Sequence, residues 1–423
     1  MRLQLLLQRV LKQPAARVLL ASVFLYLLAF QYCRLRFWRD PHSAFFDSRT
    51  VYDWKYSLFR EHQAKHFISI YNAPSDPPPV TVGESHPLLC AAVTTVKRDT
   101  DDYFDAAVGS LLEDLDPRER RALHLNVLFA DTDPSRHPSW EQRWVGRLAD
   151  SAGSYNVSDE TMEHLKELEG KRNFYEKGVF DYNYMLEDCL ATNAPYIAIF
   201  EDDIILADGW LIKTLNGLTE ITRKSPQNAD WLYLRLFYTE TSLSWTSSDF
   251  WYRNMPLAFA LVITAGLAAL LTIRRYHPGA RASYLDYPSI AVICFITLPA
   301  FTGLVYMMGK YNIQPLQGVV EMNAYGCCTQ GLVFPREQVP GLMAYLHKRG
   351  AGQTDSMIEE YAGETGLTRY ALAPQQMQHV GLRSSRDNTA LNTQSTWAFW
   401  FEESDPAVLA KEHEKLLKEG SLV

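Results

Sequence analysis

The sequence predicts an α/β domain with a largely parallel sheet, interrupted by a transmembrane helical hairpin and preceded by an N-terminal transmembrane anchor. Three observations predict it. Short strand-like runs alternate with helical ones between residues 88 and 200, the β-α-β-α-β order of a parallel sheet with covering helices. Three longer apolar runs carry no charged residue. One short apolar run ends directly in three successive carboxylates, Glu201-Asp202-Asp203.

The first long run, Val18 to Cys33, follows Arg2, Arg9, Lys12 and Arg17 and precedes no small-residue cleavage motif. It reads as an uncleaved signal anchor, with a cytoplasmic tail over 1–14 and the membrane span over 15–33. Residues 34–87 read as a luminal stem: aromatic and mixed-charge sequence runs from Trp38 to Tyr71, and the stiff Ser75-Asp76-Pro77-Pro78-Pro79 follows. The folded domain is expected to begin near Leu88, with its first part over 88–254 and its second over 309–423.

Between these parts, residues 255–308 read as a hairpin whose spans are 256–273 and 288–308, a pair of buried core helices being the plain alternative. Arg274, Arg275 and Arg281 in the connecting loop favour a cytoplasmic turn. A hairpin returns the chain to the side it left, so both parts of the domain share one compartment.

With 423 residues and 47% hydrophobic content the chain supplies a sizeable core, which excludes a disordered or fibrous protein. Its 49 acids against 41 bases give a net charge of -8 and no basic stripe, so nucleic acid is not an expected partner.

Within the domain, LLCAAVTT, LHLNVLFA and YIAIF read as strands ending in Thr94-Thr95, Asp131-Thr132-Asp133 and Glu201-Asp202-Asp203. Ligands of such sheets gather at the C-terminal strand ends, so three loops are expected to meet on one rim. The acids of the third loop suit a hard divalent cation bridging protein to diphosphate, the neutralisation that sugar transfer from a nucleotide donor requires. A solvated, inert turn is the plain alternative. A metal-dependent phosphatase or nuclease also uses acids, but no His-rich two-metal constellation accompanies these.

Cys33 and Cys294 fall in membrane-like runs, leaving Cys90, Cys189, Cys327 and Cys328 for the domain. These four can be buried thiols or make two disulfides; a vicinal Cys327-Cys328 bridge and a pair of bridges to Cys90 and Cys189 are both open. Asn156-Val157-Ser158 is an N-glycosylation acceptor, which fits a luminal side.

VTTVKRDTDDYFDAAVGSLLEDL, KGVFDYNYMLEDC leading to FEDDI, and QMQHVGLRSS follow one another as in the N-acetylglucosaminyltransferase IV family, which the chain resembles in these motifs. The N-terminal anchor and a domain split just after Glu-Asp-Asp by a membrane hairpin resemble more closely the Golgi GPI-anchor N-acetylgalactosaminyltransferase family. The resemblance implies a GT-A-type, Rossmann-like glycosyltransferase domain. It also implies a multi-pass Golgi membrane protein with its catalytic domain in the lumen, moving GalNAc from UDP-GalNAc in β linkage to the first mannose of GPI-anchored proteins. Transfer of N-acetylglucosamine in N-glycan branching is the alternative activity. A non-catalytic membrane assembly or cargo protein that keeps a transferase-like fold is the alternative of another class.

The same resemblance assigns roles. Asp203 ligates the metal, most naturally Mn2+, with His379 as imidazole partner. Asp202 lies nearer the ribose or donor sugar, and Glu201 orients its neighbours. Asp355 is the base that takes the acceptor proton, with Glu359 and Glu360 as alternatives; a helix N-cap is its plain alternative role. Val93, Thr94, Thr95 and Arg98 hold uridine and phosphate. Asp131 and Asp181 serve the nucleoside or its supporting Lys177.

Overall fold

A computed structural model describes residues 13–75, 86–98, 102–225, 230–277, 284–322, 328–381 and 396–420. Cys327, Arg281, the basic residues Arg2, Arg9 and Lys12, and the proline run after Ser75 lie outside the described residues. The chain divides into two compact units, Met1–Tyr52 with Thr241–Pro315, and Asp53–Glu240 with Leu316–Val423.

In chain order the longer helices are α1 (Pro14–Arg36), α2 (Tyr56–Asn72), α3 (Phe104–Leu112), α4 (Asp159–Gly170), α5 (Phe174–Ala191), α6 (Trp210–Lys224) and α7 (Met255–Tyr276). They continue with α8 (Tyr287–Met307), α9 (Val339–Arg349), α10 (Thr354–Thr365) and α11 (Pro406–Lys418). The strands are β1 (Leu89–Thr95), β2 (Leu123–Phe129), β3 (Ser151–Gly153), β4 (Tyr196–Glu201), β5 (Ile204–Leu206), β6 (Trp231–Arg235), β7 (Gly318–Glu321), β8 (Gly331–Pro335), β9 (Thr368–Ala373) and β10 (Met377–His379).

Helices α1, α7 and α8 form the first unit and are long and apolar enough to cross a membrane, which marks a membrane protein. At a rise of about 1.5 Å per residue, each spans the roughly 30 Å of a bilayer core. Their outward side chains, among them Leu20, Phe24, Leu28, Leu257, Leu261 and Phe295, are exposed leucines and phenylalanines, which lipid favours and water does not. Between the helices, Thr297 Oγ1 donates to Ser22 Oγ at 2.8 Å, and Tyr26 meets Phe301 edge-on. Cys33, Phe37, Phe45 and Leu304 form a small buried cluster at one end.

The second unit is built on an eight-stranded mixed sheet of order β3-β2-β1-β4-β8-β6-β9-β7. β1 is parallel to both β2 and β4, β2 to β3 and β6 to β9, whereas β8 runs antiparallel to its neighbours β4 and β6, and β7 to β9. Period-two alternation sends β1 and β4 side chains to two cores. Leu89, Ala91, Val93, Ala198 and Phe200 join α2, α3 and α6 on one face, while Cys90, Ala92, Ile197 and Ile199 join α5, α9 and α10 on the other. A disulfide between Cys90 and Cys189 ties β1 to α5. Cys328 is disulfide-bonded as well, and Cys33 and Cys294 are free and buried.

β8 follows the hairpin in sequence yet lies between β4 and β6, which precede it. Both parts of the split domain are therefore hydrogen-bonded into one sheet and stand on one side of any membrane that the hairpin crosses.

The folded unit also reaches further back than the domain start expected near Leu88. Helix α2, inside the segment read as stem, belongs to it and packs on α3 so closely that a Cβ on Gly109 would stand 2.6 Å from the Ala64 carbonyl oxygen. The buried face of α2 includes Arg60 beside Tyr56, Ala64 and Ile68, which hides its amphipathic pattern. Arg60 ion-pairs with Glu113 at 2.6 Å and with Asp114, and its Nε donates to the Leu206 carbonyl on β5 at 3.1 Å.

Candidate active site

The parallel arrangement of β1, β2 and β4 brings Thr95, Ala130-Asp131 and Glu201 to one edge. Past β4 the chain turns through Asp202 and Asp203 into β5, which pairs antiparallel with β10 so that Ile204 lies opposite His379. The Asp203 carbonyl accepts from the Val380 N–H at 2.8 Å, locking this two-stranded ribbon at its mouth. Asp203 and His379 thus converge from the two sides of the inserted hairpin.

Glu201, Asp203 and His379 each offer a ligand atom, and these atoms lie within 4.8 Å of one another. His379 Nε2 is 3.4 Å from Asp203 Oδ2, to which Arg98 Nη2 also donates at 3.0 Å. Asp203 Oδ1 is buried and has no hydrogen-bond partner among the described residues. An orphaned carboxylate oxygen beside a second acid and an imidazole is the donor set a divalent cation takes, so these residues fit one. Gly381 closes the other side: a Cβ there would stand 2.0 Å from Asp203 Oδ2.

Burial alone would raise the Asp203 carboxyl, but His379 and Arg98 outweigh it and hold the group below the usual carboxylate range. His379 is raised: burial disfavours its charge, and Asp203 with Glu201 more than restores it. Asp202 is raised, first by burial, against the pull of Arg98. Its carboxylate accepts from Thr95 Oγ1 at 2.7 Å and from Arg98 Nη2.

The model of the family described as GPI-N-acetylgalactosamine transferase PGAP4 matches residues 89–378, which take in both parts of the domain and the hairpin between them. The chain belongs to this family. Membership makes it a member of a glycosyltransferase family whose name specifies a GPI acceptor.

In this family member the remaining expected residues fall as follows. Asp355 is the second residue of α10, where Gln353 is the N-cap, so the capping role expected as an alternative is not the one it has. Its carboxylate accepts from the Cys328 N–H at 3.3 Å and the Ser356 N–H at 2.7 Å. Thr329, next to Cys328, donates to Glu201 Oε1 at 2.6 Å, so two consecutive residues link Asp355 to the acidic cluster. Glu359 is held by Arg235 at 2.7 Å and Arg369 at 2.8 Å, and Glu360 pairs with Arg349 at 2.6 Å. Of the three acids, Asp355 alone has no ion pair among the described residues.

Arg98 and Thr95 reach the cluster directly, whereas the Val93 side chain belongs to the core and Thr94 is half-buried on β1. Asp131 Oδ2 accepts from the Lys97 N–H at 2.8 Å, joining the ends of β1 and β2. Lys177 is turned inward: its Nζ donates to the Ala130 carbonyl at 2.5 Å, to Tyr155 Oη at 2.6 Å and to Asp181 at 3.1 Å. These two expected donor residues buttress the end of β2 from within.

Sequence reasoning passed over Thr329, His137 and Tyr103. The last two line a pocket with Val96, Arg98, Asp102, Pro138 and Asp202, and Arg98 lies 5.3 Å over the Tyr103 ring. Tyr103 lies within the charged run Asp101-Asp102-Tyr103-Phe104-Asp105, where the acids draw the eye, and His137 and Thr329 stand in no such pattern; the folding of separate loops onto one rim brings the three together.

Proposed function

We propose that the chain is an inverting, metal-dependent glycosyltransferase of GT-A type that moves GalNAc from UDP-GalNAc in β linkage to the first mannose of protein-attached GPI glycans. The observation that carries this is the convergence of Glu201, Asp203 and His379 in a member of a GPI-N-acetylgalactosamine transferase family.

Asp203 and His379, with Glu201 beside them, would hold the cation, Mn2+ by the chemistry of mixed carboxylate and imidazole donors. Bound there, it supplies positive charge to the departing diphosphate. Arg98 adds a second positive charge, and Asp202, fixed by Thr95 and Arg98, faces the pocket for the ribose or donor sugar. In the inverting step the acceptor hydroxyl oxygen attacks the anomeric carbon from the face opposite the diphosphate. The bond to the diphosphate oxygen breaks, and the hydroxyl proton passes to a carboxylate oxygen of Asp355. The hydrogen bonds from the Cys328 and Ser356 N–H groups aim that carboxylate.

The Cys90–Cys189 disulfide and the exposed Asn156 sequon support a luminal domain in the Golgi. The three membrane-spanning helices tether it to the bilayer that carries GPI-anchored acceptors.

Purified full-length protein given UDP-GalNAc, Mn2+ and a GPI-mannose acceptor tests this against Asp203→Ala. Equal product from both sinks the metal assignment, and preference for another UDP sugar sinks the donor assignment.

A further inference from the structure

His137 touches neither acid of the candidate cation pair, yet it is built into the wall beside them. Its ring is buried, at 4% exposure, and is held edge-on between Phe104 and Phe129, with centroids 5.5 and 5.1 Å away. Both ring partners belong to the core, so the imidazole cannot turn over without moving it.

The hydrogen bonds around the ring run in one direction. The backbone N–H of Ser139 donates to His137 Nδ1 at 3.1 Å, which requires that nitrogen to be unprotonated. Thr95 Oγ1 has one proton and gives it to Asp202 Oδ2 at 2.7 Å, so toward His137 Nε2, 3.0 Å away, the hydroxyl can only accept. The two ends of the chain independently specify the same species, a neutral imidazole with its proton on Nε2. Burial lowers the basicity of the ring in the same sense.

We propose that His137 is a positioning residue that acts through Thr95, forcing the threonine proton onto Asp202 and so fixing the carboxylate that faces the donor pocket. The role of Asp202 toward the donor rests on the functional assignment above; the direction of the hydrogen-bond chain does not. In a rotated state of Thr95 its proton would point at His137, and Asp202 would keep only Arg98. A ring nitrogen that is already a donor removes that state, so the carboxylate is oriented before the donor arrives.

The test uses full-length protein in detergent, His137→Phe, His137→Gln, Thr95→Val and the His137→Phe/Thr95→Val double variant. Phenylalanine fills the ring space without a donor, and glutamine restores an N–H near the place of Nε2. Expected is a fall of roughly ten- to a hundredfold in kcat/KM for the UDP sugar in His137→Phe, the range for one hydrogen bond to a charged group. His137→Gln should recover most of it, and the double variant should be no worse than Thr95→Val. UDP binding with Mn2+, measured by calorimetry, should weaken in parallel while Tm stays near that of the parent.

Independent losses at the two positions overturn the proposal, as does a His137→Phe enzyme of full activity. A second measurement stands apart from turnover: 15N spectra of labelled imidazoles at pH 7 should show His137 neutral and protonated on Nε2, and a charged or Nδ1-protonated ring overturns the chain outright. Parent protein that shows this ring state but binds no UDP refutes the functional assignment alone.

Discussion

His379 and Asp203 face one another at 3.4 Å across the β5–β10 ribbon, one contributed from before the hairpin and one from after it. Neither part of the split domain holds the pair alone. Asp203→Ala or His379→Ala is therefore expected to abolish Mn2+ binding in calorimetry without loosening the sheet. Activity should fall by roughly a hundred- to a thousandfold for Asp203→Ala, comparable to removing a main charge-stabilising group. Wild-type Mn2+ affinity in either variant would mean that the cation sits elsewhere.

Gly381 gives a sharper handle because it abuts Asp203 yet has no side chain that could ligate a cation or donate a hydrogen bond. The methyl of Gly381→Ala would overlap Asp203 Oδ2, at 2.0 Å, and must push either the carboxylate or the β10 end aside. Activity is expected to drop with Mn2+ affinity, while Tm changes by no more than a few degrees, since the site lies at an edge of the fold. An alanine variant with parent kinetics would show that the loop yields freely.

The Cys90–Cys189 disulfide closes a loop with a sequence separation of 99 between the first core strand and a covering helix. Such a cross-link contributes about 2–5 kcal/mol when removed from a natural fold. Cys90→Ala/Cys189→Ala is expected to unfold earlier by that amount in urea and to lose yield in cells; unchanged urea stability would show that the cross-link contributes nothing measurable.

Much of this organisation was legible in the sequence because it rests on local pattern. The continuous apolar runs LLCAAVTT and YIAIF, the charge-free spans and the acids at the end of β4 each carry their own signal. The cysteine pattern left two pairings open, and the observed Cys90–Cys189 bridge removes the one that joined these residues to Cys327 and Cys328. Three features were not legible. Helix α2 hides its core face behind Arg60, whose charge is neutralised by Glu113 and Asp114 far along the chain. Strands β5 and β10 are three residues each and exist only because they pair with one another. The insertion of β8 between β4 and β6 is set by non-local hydrogen bonding, which no window of sequence contains.

Asn156 is exposed at the start of the turn leading into α4, whose N-cap is Ser158 of the same sequon. Glycosidase treatment of the cellular protein should increase its gel mobility, and Asn156→Gln should migrate like the treated form. An Asn156→Gln protein that runs with the untreated parent would remove this sequon as support for a luminal domain, leaving the disulfide.

His413 on α11 carries the clearest pH dependence. Its Nδ1 lies 2.5 Å from Asp208 Oδ1 and its Nε2 2.9 Å from Glu119 Oε2, so both ring nitrogens meet carboxylates. Burial works against its charge, but the two acids dominate and raise it from 6.5 to about 10. A basic group raised on folding stabilises fully below its unfolded value, and the contribution fades as pH climbs through the folded value. Stability from this clamp should thus be complete below about pH 6.5 and decline toward pH 10, lowering Tm by about 2–4 °C for each kcal/mol lost. His413→Gln keeps hydrogen bonds but cannot carry the charge, so it should be less stable than the parent at pH 6 and converge on it near pH 10. Parallel Tm curves for the two proteins across that window would show that the imidazolium contributes nothing, and that α11 is held by its other contacts, including Glu412 with Lys213 at 2.8 Å.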